Sequence, residues 1–458
     1  MKTLELQPTI ENLLDTYTGD VIGRNEDVHR FIDILDSIED CCVIALDGKW
    51  GSGKTFFTKQ TKMVLDSFNE FVNGKNSSNS KIKNVWAKYS NRDLKPQVCV
   101  YYDAWENDND EDPLISLVYE IMQSVHDDFN YSCEKDYLKL ASGVFEIITG
   151  KNVNGFIDAL KKGDDPFKEV RKSRDLRTAI NGFLEALLVE KGERLIIFVD
   201  ELDRCKPSYA VKLLERVKHY FNNDKVTFVF SINSIELQNT IKKIYGLEFD
   251  SCKYLDRFFD LRINLPSVDL QLFYDSIGFC PSNYIFENVM ETVIQKFNFE
   301  LREITRYVRL AKIAAYKPTH GGEGRFFFSD GHGMTFCLLG IVPIIIGLKM
   351  FDTKMYLDFI EGRNPKIMVE ILEKAASENW LSSSLLTNDE TFDVKDDTKQ
   401  VVKLSDKLLE VYDALFRNDY NDGRTYEISV GQLSFSRMTQ SMIDKTVNLL
   451  SSFTDFNY

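Results

Sequence analysis

Residues 48–55 read Gly-Lys-Trp-Gly-Ser-Gly-Lys-Thr, which fits the spacing G-x-x-x-x-G-K-[ST]. Each residue type has a chemical reason to stand there. Gly48, Gly51 and Gly53 let the backbone curl tightly enough to aim its N–H groups at phosphate oxygens. Lys54 offers a compact cation to the β- and γ-phosphates of a nucleotide, and the Thr55 hydroxyl suits a magnesium ion. A helix beginning near Lys54 adds the positive end of its dipole. Lys49, Trp50, Ser52 and Phe56 complete the segment expected to surround the anion.

A second chemical element lies at Asp200-Glu201, directly after the apolar run Arg194–Val199. Such a run suits a strand buried on both faces of a parallel sheet. A carboxylate at its end emerges on the edge that faces ligands. Asp200 is therefore expected to hold Mg²⁺ together with Thr55, and Glu201 to polarise an attacking water. Asn233 follows the next apolar run, Lys225–Ile232. There an amide either orients that water or touches the γ-phosphate, or it caps the following helix.

These residues need particular elements to bring them together. Cys41–Leu46 reads as a buried strand leading into the glycine-rich loop, and Thr55–Phe71 as the helix leaving it. Gln97–Tyr102, Arg194–Val199, Lys225–Ile232 and Asp260–Leu265 read as further strands. Glu26–Ile38, Pro113–Phe129, Leu176–Val189, Tyr209–Phe221 and Ile235–Tyr245 read as helices. This alternation predicts an α/β fold, a three-layer parallel sheet of the P-loop kind. Beyond Pro266 the strand runs stop. Leu270–Phe279, Tyr284–Phe297, Leu301–Tyr316, Met334–Phe351 and Lys354–Gly362 read as helices of a C-terminal helical domain. The organisation expected is a lead-in at 1–18, a core at 19–266 and a helical region at 267–458. Within the core, 73–96 is expected as a surface loop and 106–190 as a mostly helical insert with turns near Gly150–Gly155 and Gly163–Pro166. The glycine-rich stretch 317–333, with His320 and His332, is expected as a surface loop or part of a binding site.

Bulk composition narrows the classes. The 458-residue chain is 43% hydrophobic, ample for two or three cores. Its net charge of −15 opposes broad binding to phosphate backbones. A local nucleic-acid site remains a minor reading, on Lys81, Lys83, Lys88 and Arg92 with Trp86 and Tyr89 interleaved. The eight cysteines form no C-x-x-C pair, so reduced, buried thiols in the cytoplasm are expected. Met1–Glu11 has no signal pattern. Met334–Phe351 falls just short of the roughly 20 residues a membrane span needs and is interrupted by Gly340, Pro343 and Gly347, so a buried helix or helix pair is expected and no membrane insertion.

Together these segments resemble the KAP family of P-loop NTPases, a branch of the additional-strand class that also holds the AAA+ and STAND ATPases. The resemblance rests on the P-loop, on Tyr102–Asn107 with Asp112-Pro113-Leu114, on Phe198–Pro207, and on Tyr254–Pro266. It implies ATP and Mg²⁺ as cofactors and ATP hydrolysis as the activity. It implies that Ile22 and Arg24 lie near adenine and that Arg257 acts as a finger on a neighbouring subunit's γ-phosphate. It further implies that Arg302 or Arg306 reaches ATP from the helical domain, although the Asn-Pro usual before that arginine is Glu300-Leu301 here. Many family members insert transmembrane helices between the two acidic and glycine-rich motifs, but Glu106–Glu190 has no apolar run of about 18 residues. No base-selecting N-K-x-D is present, which favours ATP over GTP.

The function expected is an ATP-hydrolysing switch or assembly motor, working as a homo-oligomer or with an effector chain, and by family context in bacterial defence against phage. The alternatives are a nucleotide-dependent scaffold with little turnover that controls a partner effector or nucleic acid, and a phosphotransferase. The latter lacks an acceptor lid, and Glu201 suits water better than a substrate hydroxyl.

Overall fold

The computed structural model describes residues 7–73, 77–90, 92, 94–125, 136–149, 168–281, 284–315, 332–392, 399–418, 426–437, 439, 440 and 443. They form two compact units, one running up to Phe273 and the other from Tyr274 onward.

The first unit is built on a five-stranded parallel sheet, comprising β1 (Cys42–Asp47), β2 (Gln97–Asp103), β3 (Arg194–Asp200), β4 (Val226–Ile232) and β5 (Leu261–Asn264). The strand order is β2-β3-β4-β1-β5. The glycine-rich loop leaves β1 and the acidic pair ends β3, so β4 lies between the two motif-bearing strands. Side chains alternate between the faces of a strand, and the core divides accordingly. Val43, Ala45, Val98, Val100, Leu195, Ile197, Val199, Phe228 and Phe230 pack on one face. There they meet Leu117 of α6 (Pro113–Ser124), Phe183 and Leu187 of α8 (Lys168–Lys191), Leu214 of α9 (Pro207–Tyr220) and Leu237 of α10 (Ser234–Tyr245). Cys42, Ile44, Leu46, Cys99, Ile196, Phe198 and Val229 pack on the other face. They meet Val28 and Phe31 of α2 (Asn25–Ser37), Phe57 and Val64 of α3 (Lys54–Ser67), and Trp86 of α5 (Ser77–Tyr89). Both faces are covered, which is why the strands are apolar throughout instead of alternating with polar residues. The layer of α2, α3 and α5 also holds α1 (Ile10–Gly19) and the short α4 (Glu70–Asn73), and α7 (Asp136–Thr149) pairs with α8 on the opposite side.

Two local signals set helix starts. Asp112 caps α6, its carboxylate accepting the Leu114 N–H at 3.1 Å, with Pro113 at the first helical position. The same carboxylate pairs with Arg216 of α9 at 2.7 Å. The Asp-Pro-Leu triplet is thus a helix start anchored to its neighbour helix. The Tyr254–Pro266 segment closes the sheet beside β1 through α11 (Ser251–Leu255) and β5. Asp260 accepts the Val43 N–H at 2.8 Å, and Phe259 meets Phe230 edge-on at 5.7 Å.

Three expectations are corrected. Residues 73–96 are not a surface loop, because α5 lies within them and buries Ile82, Val85 and Trp86. The cause is an apolar face at helical spacing among the Asn, Ser and Lys residues. Trp86 is only 2% exposed and donates its indole N–H to the Arg92 carbonyl at 2.8 Å, so it cannot stack a nucleic-acid base. Arg92 in turn pairs with Asp33 at 2.6 Å. Cys252 and Cys280 are exposed, against the expectation of buried thiols. Strands also recur after Pro266. The turns expected near Gly150–Gly155 and Gly163–Pro166 lie outside the described residues, as does most of 317–333.

The short α12 (Leu270–Ser276) runs across the division into the second unit. That unit contains α13 (Ile285–Phe297), α14 (Leu301–Ala315), α15 (His332–Phe336), α16 (Val342–Phe351), α17 (Thr353–Ile360), α18 (Lys366–Ala375), α19 (Glu378–Leu385) and α20 (Leu404–Phe416). It also holds two small sheets, parallel β6 (Glu390–Thr391) with β7 (Gln400–Val401), and antiparallel β8 (Glu427–Val430) with β9 (Leu433–Ser436). A π-turn at Cys337–Ile341 joins α15 to α16, so His332–Phe351 is one continuous helical run of 20 residues and is not broken at Gly340 or Pro343. This run is long and apolar enough to cross a membrane, but 67% of its most apolar window is buried inside the protein. Tyr307 of α14 donates its hydroxyl to the Pro343 carbonyl at 2.9 Å.

Two predictions follow from this packing. His29 is buried, its Nε2 lies 2.6 Å from the Tyr17 hydroxyl, and its ring stacks on Trp86 at 4.5 Å. Burial pushes its pKa down to about 4. The unfolded imidazole takes a proton near 6.5, which the folded state refuses until about 4. Stability should therefore decline as pH falls through that window, and His29 should contribute no slope above it. Denaturant titrations of wild type and His29→Gln should show a flatter decline in the variant; identical slopes would assign the decline to other groups. A Cβ at Gly347 would sit 2.3 Å from Val293 Cγ1, between α16 and α13. Gly347→Ala should cost about 1–3 kcal/mol in chemical denaturation, whereas a neutral result would mean the two helices part freely.

Candidate nucleotide site

Strand register sets the acidic edge of the site. Asp103 pairs with Asp200, Asp200 with Ser231, and Asp47 with Ile232 and Asn264. The carboxyl ends of all five strands thus finish together. Parity along β3 then decides direction. Asp200 points to the same face as Ile196 and Phe198, the face on which α3 packs. There its Oδ2 accepts the Thr55 hydroxyl at 2.6 Å. Tyr101 shares that parity on β2 and donates its hydroxyl to the same oxygen at 2.8 Å. Asp47 has the opposite parity and accepts the Ser234 N–H at 2.9 Å, tying β1 to the start of α10.

The loop between β1 and α3 is curled as a phosphate cradle requires. Gly51 and Gly53 have φ of 86° and 92°, in the region other residues avoid. Gly48 is needed for a different reason, because a Cβ there would lie 2.9 Å from Ser52 Oγ and 3.3 Å from Lys54 Cγ. The Lys54 ammonium is folded back into the curl, donating to the Gly48 carbonyl at 2.6 Å and the Lys49 carbonyl at 3.0 Å. Burial lowers its pKa, against the pull of Asp203, Asp200, Glu201 and Asp47. The Ser52 hydroxyl is buried with no partner among the described residues. A buried ammonium bonded only to its own loop, beside an unsatisfied hydroxyl, fits a multivalent anion. The Thr55 hydroxyl and the Asp200 carboxylate, both hard oxygen donors already in contact, fit magnesium.

Glu201 begins the turn after β3 with φ 59°, a left-handed conformation uncommon for a non-glycine residue. Its N–H donates to Asp200 Oδ1 at 2.9 Å, and its Oε2 pairs with Arg204 Nε at 2.6 Å. Burial, reinforced by the Asp200 charge and opposed by Arg204, pushes its pKa up to about 7. Asp203 is buried and accepts the indole N–H of Trp50, and burial raises its pKa as well.

The structure therefore joins Gly48, Gly51, Ser52, Gly53, Lys54, Thr55, Asp200 and Glu201 in one place. Lys49 and Trp50 are exposed on the same loop, and Phe56 is buried at the start of α3. The remaining expected residues occupy other positions. Ile22 is buried, and Arg24, 3% exposed, donates to the Ser52 carbonyl at 3.3 Å and the Pro266 carbonyl at 2.5 Å. Arg24 thus braces the phosphate loop from beneath instead of projecting towards a base. Asn233 takes the capping alternative, its amide oxygen accepting the N–H groups of Ile235 at 3.2 Å and Glu236 at 3.4 Å. Arg257 is exposed just after α11, with no side-chain partner among the described residues. Arg302 and Arg306 are exposed on α14 of the second unit. The sequence reading missed Tyr101, Asp203, Arg204 and Trp105. Arg204 and Asp203 were visible as the Asp-Arg of the extended acidic motif, but nothing local marks Tyr101.

Comparisons with known proteins identify the family. An uncharacterized protein of Methanocaldococcus jannaschii is 24% identical, over 29% of this chain and 89% of its own. The solved structure titled as the Aeropyrum Pernix ORC2 protein (ADPNP-ADP complexes) aligns over 94% of both chains at 12% identity and a TM-score of 0.31. The KAP family P-loop domain matches residues 24–316, which hold the sheet, the phosphate loop and the acidic pair. The chain belongs to the KAP family of P-loop NTPases.

Proposed function

We propose that this chain binds Mg·ATP at the β1–α3 loop and hydrolyses it, working as a switch or assembly motor. The observation that carries the reading is the 2.6 Å bond from Thr55 to Asp200, which brings the two halves of the site into one place. In this reading the Lys54 ammonium exchanges its loop carbonyls for phosphate oxygens, and the N–H groups of the loop and of the α3 N-terminus bind the rest. Thr55 and Asp200 would hold the magnesium ion, which when bound offsets charge on the phosphate oxygens. Tyr101 keeps the Asp200 carboxylate turned towards α3. Glu201 orients a water molecule and accepts its proton.

ATP is favoured over GTP by the lack of an N-K-x-D segment. Arg257, exposed and unpaired among the described residues, suits a finger offered to a neighbouring copy, and the assembly implied is a homo-oligomer or a complex with an effector chain. The defence role is supported by family context alone, and phage challenge of bacteria expressing wild type or Lys54→Ala tests it.

Phosphate release and nucleotide binding, measured together on purified variants, test the site. Lys54→Ala should lose both. Glu201→Gln should keep binding and lose turnover about a hundredfold or more. Full binding and turnover in Lys54→Ala would refute the assignment. A second series concerns the carboxylate's orientation. Tyr101→Phe should raise the Mg²⁺ concentration for half-maximal turnover about tenfold; an unchanged magnesium dependence would show that the hydroxyl does not steer Asp200.

A further inference from the structure

The reading above leaves unused the cation closest to Glu201. Arg204 Nε lies 2.6 Å from Glu201 Oε2, and the two side chains are 25% and 17% exposed. The guanidinium carbon sits 5.8 Å from the ring of Trp50 and 5.6 Å from the ring of Trp105. Those indoles come from separate segments. Trp50 belongs to the phosphate loop, and its N–H donates to Asp203. Trp105 follows β2, where its backbone N–H is fixed by Asp103 Oδ1 at 3.0 Å. Three segments of the site therefore converge on one guanidinium.

That convergence answers a positional problem. A glutamate has several free side-chain torsions, and fixing them costs entropy that must be recovered. A group acting on a water molecule has to be held in place, since a displacement of about 1 Å can lower rate about a hundredfold. Among the described residues, one carboxylate oxygen of Glu201 is bonded to Arg204 and the other has no partner. A guanidinium suits the task, because it is planar, stacks on aromatic faces and offers Nε in a fixed direction. Lysine shares only the charge.

We propose that Arg204 is a positioning residue for Glu201: seated against the indoles of Trp50 and Trp105, it holds Oε2 so that Oε1 is presented to the reacting water. This rests on the reading of Glu201 as the water-orienting group. Because Trp50 is part of the phosphate loop, the same seat links the loop's conformation to the position of Glu201.

The test is a double-mutant cycle in steady-state ATP hydrolysis, with ADP affinity and melting temperature measured on every variant. Arg204→Ala should lower kcat about tenfold to a hundredfold. Its KM and ADP affinity should stay within about threefold of wild type, the split expected when only the transition state is affected. Arg204→Lys should recover part of the loss. Trp105→Ala removes an exposed side chain and should fall between wild type and Arg204→Ala, which keeps the test usable if Arg204→Ala does not fold. In a Glu201→Gln background, Arg204→Ala should add no further loss. Unchanged or faster turnover in Arg204→Ala, with Glu201→Gln inactive, would overturn the positioning role and leave the proposed function standing. An equal loss in both backgrounds would also overturn it, since the effect would not pass through Glu201. Wild-type turnover in Glu201→Gln would instead defeat the underlying reading of Glu201, an outcome recognisable without any Arg204 variant.

Discussion

The bond from the Thr55 hydroxyl to Asp200 joins residues that are 145 positions apart, one in the helix that follows β1 and the other at the end of β3, strands which do not pair. Three things must be right for it to form. β4 has to enter the sheet between β1 and β3. Both of its registers have to align the strand ends, as they do where Asp200 meets Ser231 and Asp47 meets Ile232. α3 has to pack on the face towards which Asp200 points. A one-residue slip of β3 would turn the Asp200 carboxylate to the α6–α9 side and leave Thr55 without it. The register that packs the two cores is also the register that assembles the site, so the stability of the sheet and the assembly of the site are linked.

Around that bond, negative charge is crowded. Asp47, Asp200, Glu201 and Asp203 all act on Lys54, the ammonium folded into the curl. The protein manages the crowding by giving each of these carboxylates a committed partner. Asp47 accepts from Ser234, Asp200 from Thr55, Tyr101 and the Glu201 N–H, Asp203 from Trp50, and Glu201 from Arg204. Partnered carboxylates tolerate burial that bare ones would not. The result is a fixed negative field beside the loop, which favours the Lys54 cation. Arg24 serves the same end from the other side by fixing the loop's carbonyl at Ser52.

Several segments that carry the family resemblance turn out to have plain structural duties. Asp112 starts a helix and anchors it to Arg216. Asp260 and Phe259 close the sheet beside β1. Arg24 props the phosphate loop. A motif shared across a family therefore mixes residues that face the ligand with residues that hold the frame, and only geometry separates them. Asn233 makes the point in a single residue, since its position after β4 suits either role and its amide oxygen is occupied by the cap of α10.

By itself the sequence determined the phosphate loop, the acidic strand end, the strands and most of the helices of the first unit, and the helical character of much of the second. Those features are local. A glycine-rich turn, a continuous apolar run or an apolar stripe at helical spacing depends on near neighbours and needs no knowledge of the fold. Tertiary structure alone decided the role of Tyr101, whose hydroxyl reaches Asp200 only because β2 lies beside β3. It decided that α5 is a packed helix, since the polar composition of 73–96 hides the three residues that meet α2 and α3. It placed Arg204 between two indoles from distant segments, and it turned Arg24 and Asn233 from ligand-facing candidates into a brace and a cap. Each of these rests on contacts across tens to hundreds of residues, or on how a polar atom's hydrogen bond is finally satisfied. Such choices are settled by the packing of the whole unit, because a buried donor or acceptor takes whichever partner the fold brings within reach.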